Sequence, residues 1–162
     1  MSDNREFFGK RWESEQPAFG RVLRAVPATE LAYRPHERST SAGDLAWQLA
    51  EEARSLVELL EKNEIRWETR PRPESAEDIV TAYESSAKLF AERLAGIDDA
   101  KWQTPASFIM GGEVGWTSTI EDFCWGFLFD MVHHRGQLSA YIRPMGGKVP
   151  SIYGPSADDA GS

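Results

Sequence analysis

The stretch Ser118-Thr-Ile-Glu-Asp-Phe-Cys-Trp-Gly-Phe-Leu-Phe-Asp-Met-Val-His-His-Arg-Gly-Gln-Leu-Ser-Ala-Tyr-Ile-Arg143 decides the fold. It reads as one long helix, opened by the capping box Ser118-Thr-Ile-Glu121. At 3.6 residues per turn, Phe123, Phe127, Asp130, Met131, His134, Leu138, Tyr141 and Met145 recur at steps of three or four and share one face. Two ionisable groups, Asp130 and His134, therefore fall within an apolar stripe. Burying them costs several kcal/mol unless they are hydrogen-bonded, paired or bound to a metal, so the rest of the chain has to supply a partner.

Working outward, the preceding segment from Ile97 to Thr117 loses the helical period and gains Pro105, Gly111, Gly112 and Gly115, a pattern that admits a short hairpin about Gly111-Gly112. Before it, Ala76 to about Ala95 reads as a helix capped by Ser75, with Ile79, Tyr83, Ala87, Phe90 and Leu94 inward and Gly96 at its end. Ser41-Ala-Gly-Asp44 starts another helix that runs to about Lys62, with Gln48 and Glu52 on the shoulder of its apolar stripe. Between these two, Glu64 to Pro73 reads as a surface connection. The first helix, from about Asn4 to Ala25, carries Phe7, Phe8, Trp12, Phe19, Val22 and Leu23 on its inner face and Pro17 in its middle, where a kink is expected. The sequence after Arg143 is extended, and its apolar residues imply that it folds back over the helices as far as about Ser156, leaving 157–162 as a disordered tail. The fold class is thus all-α, a bundle of four helices with a short hairpin before the last, in a single domain over 1–156.

Composition narrows the partners. A chain of 162 residues with 41% hydrophobic and 27% charged residues suits one soluble domain. A net charge of −8 without a Lys/Arg cluster argues against nucleic acid and anionic membrane, and the N-terminus lacks the apolar run of a signal peptide, so a cytoplasmic location is expected. The single cysteine, Cys124, reads as a small buried filler.

Residues spaced i and i+4 lie about 6 Å apart on one helix face, close enough for Asp130 and His134 to hold one divalent ion, with the Gln48 carbonyl oxygen as a candidate third ligand. A buried Asp–His hydrogen bond would satisfy both groups without an ion. Around the pair, Glu52 offers a general base or supporting partner if it faces inward. His133 points about 100° away from His134 and suits a surface or interface. Arg135 calls for an acidic residue on a neighbouring helix, with a substrate carboxylate as the alternative, and Tyr153 suits packing at the edge of the pocket. The sequence has no Gly-rich phosphate loop, G-x-S-x-G elbow, C-x-x-C pair or H-E-x-x-H helix.

The run Trp125 to Ser139, continued by Tyr-Ile-Arg-Pro-Met-Gly-Gly-Lys-Val-Pro-Ser-Ile-Tyr-Gly-Pro-Ser156, resembles the end of a DinB-family protein, the DinB/YfiT-like metalloenzymes. Tyr33-Arg-Pro-His36 and Ser41-Ala-Gly-Asp-Leu-Ala-Trp47 resemble the same family's approach to its second helix. The resemblance implies an up-down-down-up four-helix bundle, often a homodimer, with a divalent metal held by three histidines. Those positions fall on Gln48, Asp130 and His134, so the implied site is a modified one. An amide oxygen and a carboxylate make it harder than a three-histidine site, and nickel, zinc, manganese and iron are all candidates. The activity implied is group transfer, including transfer to a low-molecular-weight thiol, or hydrolysis of a small-molecule substrate. The alternative is a metal-free, non-catalytic dimeric bundle acting as a binding or stress-related module.

Overall fold

The computed structural model describes residues 4–68 and 70–161, so residues 1–3 of the expected domain and the terminal Ser162 lie outside the described residues. Four long helices carry the chain: α1 (Asn4–Ala25), α2 (Ala42–Lys62), α3 (Ala76–Ala95) and, after a single-turn α4 (Asp99–Trp102), α5 (Ile120–Ile142). Three strands accompany them, β1 (Glu64–Trp67), β2 (Pro105–Met110) and β3 (Glu113–Thr119). The purely helical expectation is corrected accordingly: the molecule is mostly helical with a small three-stranded sheet.

Helices α2, α3, α4 and α5 each start where a short polar side chain caps them. The Ser41 hydroxyl accepts from the backbone N–H of Asp44 at 3.1 Å, and Ser75 accepts from those of Glu77 and Asp78. On α5 the cap falls one residue later than expected. Thr119, the last residue of β3, accepts from the Asp122 N–H, while the Ser118 hydroxyl donates to the Asp122 carboxylate. Pro17 lies within α1, which continues through it, and the Gln16 side chain donates to the Trp12 carbonyl at 3.1 Å. Gly43 fits its place because a Cβ there would meet the Leu31 carbonyl oxygen at 2.9 Å.

α1 packs against α3 and α5, and α2 packs against the same two helices, so α1 and α2 sit on opposite corners. Phe8 and Trp12 of α1, Phe90 of α3 and Trp102 of α4 form one buried aromatic cluster, with Trp12 and Phe90 edge to face at 4.6 Å. Phe7, expected inward, is half exposed. Cys124 is fully buried, as a filler should be.

The sheet has the order β1-β2-β3. β2 and β3 form the expected hairpin, with Gly111 and Gly112 both at positive φ, as a two-residue turn of the primed type requires. β1 was expected to be loop and is a strand running parallel to β2. Asn63 makes this possible: at φ 58°, ψ 29° it ends α2 in the left-handed conformation, and its carbonyl accepts from the Ser107 N–H at 3.0 Å.

The C-terminal segment folds back as expected. Val149 and Ile152 pack on the core, and the Ser151 carbonyl accepts from Arg21 at 2.9 Å. Residues 157–161, expected to be disordered, are tied down instead: Asp158 accepts from Arg143 at 2.8 Å and from the Val149 N–H at 2.9 Å. The strongest anchor lies further in. Arg135 of α5 is buried and donates to Glu15 of α1 at 2.7 Å, and the Tyr153 hydroxyl accepts from Arg135 while donating to Glu15 at 2.9 Å. Removing one member of a buried ion pair strands the other charge, so Glu15→Ala should cost about 3–5 kcal/mol of unfolding free energy in urea titrations, against about 1 kcal/mol for Tyr153→Phe.

Candidate metal centre and cleft

Successive residues on a helix point about 100° apart, and α5 uses this to serve two sides. Arg135 faces α1; His134 faces α2. There His134 Nδ1 lies 3.0 Å from Glu52 Oε1, and Gln48, one turn before Glu52, donates from Nε2 to the same oxygen at 3.1 Å. The Gln48 amide nitrogen also lies 3.3 Å and 3.2 Å from the two His134 ring nitrogens. Asp130 Oδ2 approaches His134 Nδ1 at 3.8 Å. One donor atom each from Glu52, Asp130 and His134 fall within 4.8 Å of one another.

The burial of the three differs sharply. The Glu52 side chain is 1% exposed, His134 14% and Asp130 56%. Asp130 therefore stands on the rim, not in the core stripe, which runs instead through Leu128, Met131, Arg135, Leu138 and Ile142. Glu52 takes the buried place, and among the described residues its Oε2 has no hydrogen-bond partner. Burial pushes the Glu52 carboxyl above its ordinary range, against the opposing pull of its hydrogen bond to His134. That same hydrogen bond holds the His134 imidazole pKa up, against partial burial.

Gln48, Glu52 and Asp130 line a cleft of about 830 Å³, a size suited to a small molecule. Its wall is aromatic. Trp67 of β1, Phe108 of β2 and Trp116 of β3 lie side by side across the sheet, Phe108 and Trp116 stacked at 4.1 Å, and Phe127 of α5 meets Trp67 edge to face. Gln48, Glu52, Asp130 and His133 all border it. His133 is exposed, with Nε2 3.0 Å from the Gln137 amide nitrogen. Arg135 meets the acidic residue on a neighbouring helix that its place called for, Glu15, and Tyr153, expected at the pocket's edge, joins that network; neither lines the cleft. The sequence assigned the third ligand position to Gln48; the carboxylate within reach of Asp130 and His134 is Glu52, one turn further along α2. The alignment of this wall across a sheet did not follow from the sequence, because Trp67 lay in a segment read as a surface connection.

With this geometry established, the chain can be set beside known proteins. The chain belongs to the DinB family: the family model matches residues 1–161. It is 25% identical over 165 aligned residues to the protein of Bacillus subtilis strain 168 described as uncharacterized protein YrdA, covering 98% of this chain and 93% of that one. A crystal structure of a DinB-like protein from Bacillus cereus superposes with a TM-score of 0.75 at 23% identity, over 90% of this chain and 95% of the other. A second, the DinB-like protein YjoA of Bacillus subtilis, gives 0.68 at 15% identity, over 86% and 91%. Both likenesses concern the fold. Among the described residues, no helix is long and apolar enough to cross a membrane.

The proton held between Glu52 and His134 makes stability depend on pH. A raised folded-state pKa means that the folded protein binds the proton more tightly than the unfolded chain, so the stabilisation is present below the ordinary histidine value and lost as pH rises through the folded one. The raised Glu52 value acts with the same sign. In chelator-treated protein, the urea midpoint should fall as pH goes from about 6 to about 8, and His134→Ala should flatten that decline.

Proposed function

We propose that this DinB-family protein is a metal-dependent enzyme whose divalent ion is held by Glu52, Asp130 and His134, and which carries out group transfer or hydrolysis on a small molecule in the adjoining cleft. The observation carrying this is the buried, unpartnered Glu52 Oε2 beside two further donors. A buried carboxylate oxygen without a partner costs free energy that a cation would relieve. The donor set fits: two carboxylates and one imidazole favour manganese or iron over the softer preferences of a thiolate site, with zinc and nickel still within the range of the imidazole.

Bound there, a divalent ion supplies Lewis-acid activation of a water or thiol nucleophile. The protein's own groups do the rest. Gln48 donates to Glu52 Oε1 and so orients its carboxylate. The aromatic wall excludes water and holds the apolar part of the substrate.

Metal analysis of protein purified without an affinity metal column, then offered manganese, iron, zinc and nickel in turn, checks this reading. About one ion per chain is expected, reduced at least tenfold in affinity by His134→Ala and by Glu52→Gln. Uptake of none of the four ions by folded protein would sink it.

A second observation favours a dimer. Phe7, Trp125 and Phe129 form a ladder of rings 5.9 and 5.8 Å apart, with Phe7 50% and Phe129 66% exposed. Aromatic rings left in water on adjacent helices suit a self-complementary two-fold contact. Sedimentation should show a dimer that Phe129→Asp converts to a folded monomer. This contact is shared with the alternative of a non-catalytic dimeric module, which the metal analysis separates from the enzyme.

A further inference from the structure

Several acidic residues elsewhere in this protein are matched with bases. Glu15 meets Arg135, Glu51 meets Arg54 and Arg70, and Asp44 meets Arg34 and Arg72. The cleft departs from this pattern. It is lined by three carboxylates, Glu52, Asp122 and Asp130, and among the described residues none of the three pairs with a lysine or arginine, nor does either residue type line the cleft. Glu52 turns only to His134 and Gln48, and Asp122 only to the Ser118 hydroxyl. Three negative charges exceed what one divalent ion neutralises, so the cleft stays negative with the metal site filled. The opposite wall is formed by Trp67, Phe108 and Trp116, whose rings stack on one another across the sheet and offer apolar surface to the hydrocarbon part of a ligand.

We propose that the cleft takes an amphipathic organic cation, an aromatic amine or quaternary ammonium compound. This rests on the same cleft being the substrate site and adds the substrate's charge. The cation's ring or alkyl groups lie against the aromatic wall, and its positive nitrogen lies toward the carboxylates. Glu52 lines this space, with its Oε2 buried and, among the described residues, without a hydrogen-bond partner. Trp116, half exposed and stacked on Phe108 at 4.1 Å, forms the outer lip, where a ring face is already available. An anionic substrate finds no fixed cationic side chain here and pays the full repulsion of the acids.

Three probes of similar size and different charge test this: benzyltrimethylammonium, benzyl alcohol and benzoate, titrated calorimetrically into chelator-treated and into manganese-supplemented protein. The cation should bind saturably and about tenfold or more tighter than the alcohol, with benzoate weakest, in both preparations. Asp122→Asn keeps the backbone N–H that Thr119 caps; it should weaken the cation several-fold and leave the alcohol unchanged. Trp116→Ala should weaken both. Equal affinity for the three probes, preference for benzoate, or no saturable binding of the cation by folded protein would overturn the proposal. Cation binding by protein that takes up no metal would sink the metal reading and leave this one standing. Metal uptake with a preference for benzoate would do the reverse.

Discussion

Helix α5 has to neutralise two adjacent side chains on two different neighbours, and the bundle's arrangement follows from that. His134 reaches Glu52 on α2, and Arg135 reaches Glu15 on α1. Because the two side chains leave the helix about 100° apart, α5 must lie against both α1 and α2, with α3 closing the opposite side. The two contacts are unequal. The Arg135 pair is complete, with Tyr153 hydrogen-bonded to both partners and the guanidinium 4.5 Å from the Phe19 ring centre. The His134 contact leaves one Glu52 oxygen without a partner. One side of α5 therefore fastens the fold, and the other remains chemically open.

The sheet turns that open side into a compartment. Four helices alone would leave the Glu52 end of the bundle facing solvent. β1 follows α2 through the left-handed Asn63, and the hairpin of β2 and β3 runs directly into α5 at Thr119. The strands are thereby tethered to the two helices that carry the polar residues, and the ring-bearing positions Trp67, Phe108 and Trp116 face the same cleft. The register irregularity at Phe108/Ile109 keeps Trp116 opposite Phe108, with Gly115 left between the paired residues. A glycine at this point lets the strand bulge without a side chain to accommodate.

Much of this was legible in the residues. The four long helices follow from their stripes and caps, and the hairpin from Gly111-Gly112, two residues that together tolerate the positive φ of a tight turn. The Asp130 and His134 spacing correctly marked the polar end of the bundle. What sequence could not supply was the axial register of α2 against α5. Gln48 and Glu52 lie on the same edge of one helix, one turn apart, and only packing decides that Glu52 is buried against His134 while Gln48 supports it. Likewise the helical period placed Asp130 in the stripe, whereas a small rotation of α5 keeps Met131 there, brings in Leu128 and Arg135, and sends Asp130 to the rim. β1 was missed because four residues offer little pattern and their partner strand is some forty residues away. Asn63 before the alternation Glu64-Ile65-Arg66-Trp67 was the available signal.

The difference between the two acids of the candidate centre has a physical consequence. An exposed carboxylate such as Asp130 keeps its hydration until a ligand arrives, and its side chain is free to turn toward one. Glu52 has already lost its water on folding, a loss offset in part by the contacts of Gln48 and His134 with its Oε1. Folding therefore prepares the expensive half of the site in advance, and binding need only recruit the inexpensive half. A site built wholly from exposed acids would lack that preorganisation, and one built wholly from buried acids would confront the fold with two unpaired charges at once. The intermediate arrangement, one acid buried beside a histidine and one at the rim, is compatible with both a stable bundle and a cleft that still attracts positive charge.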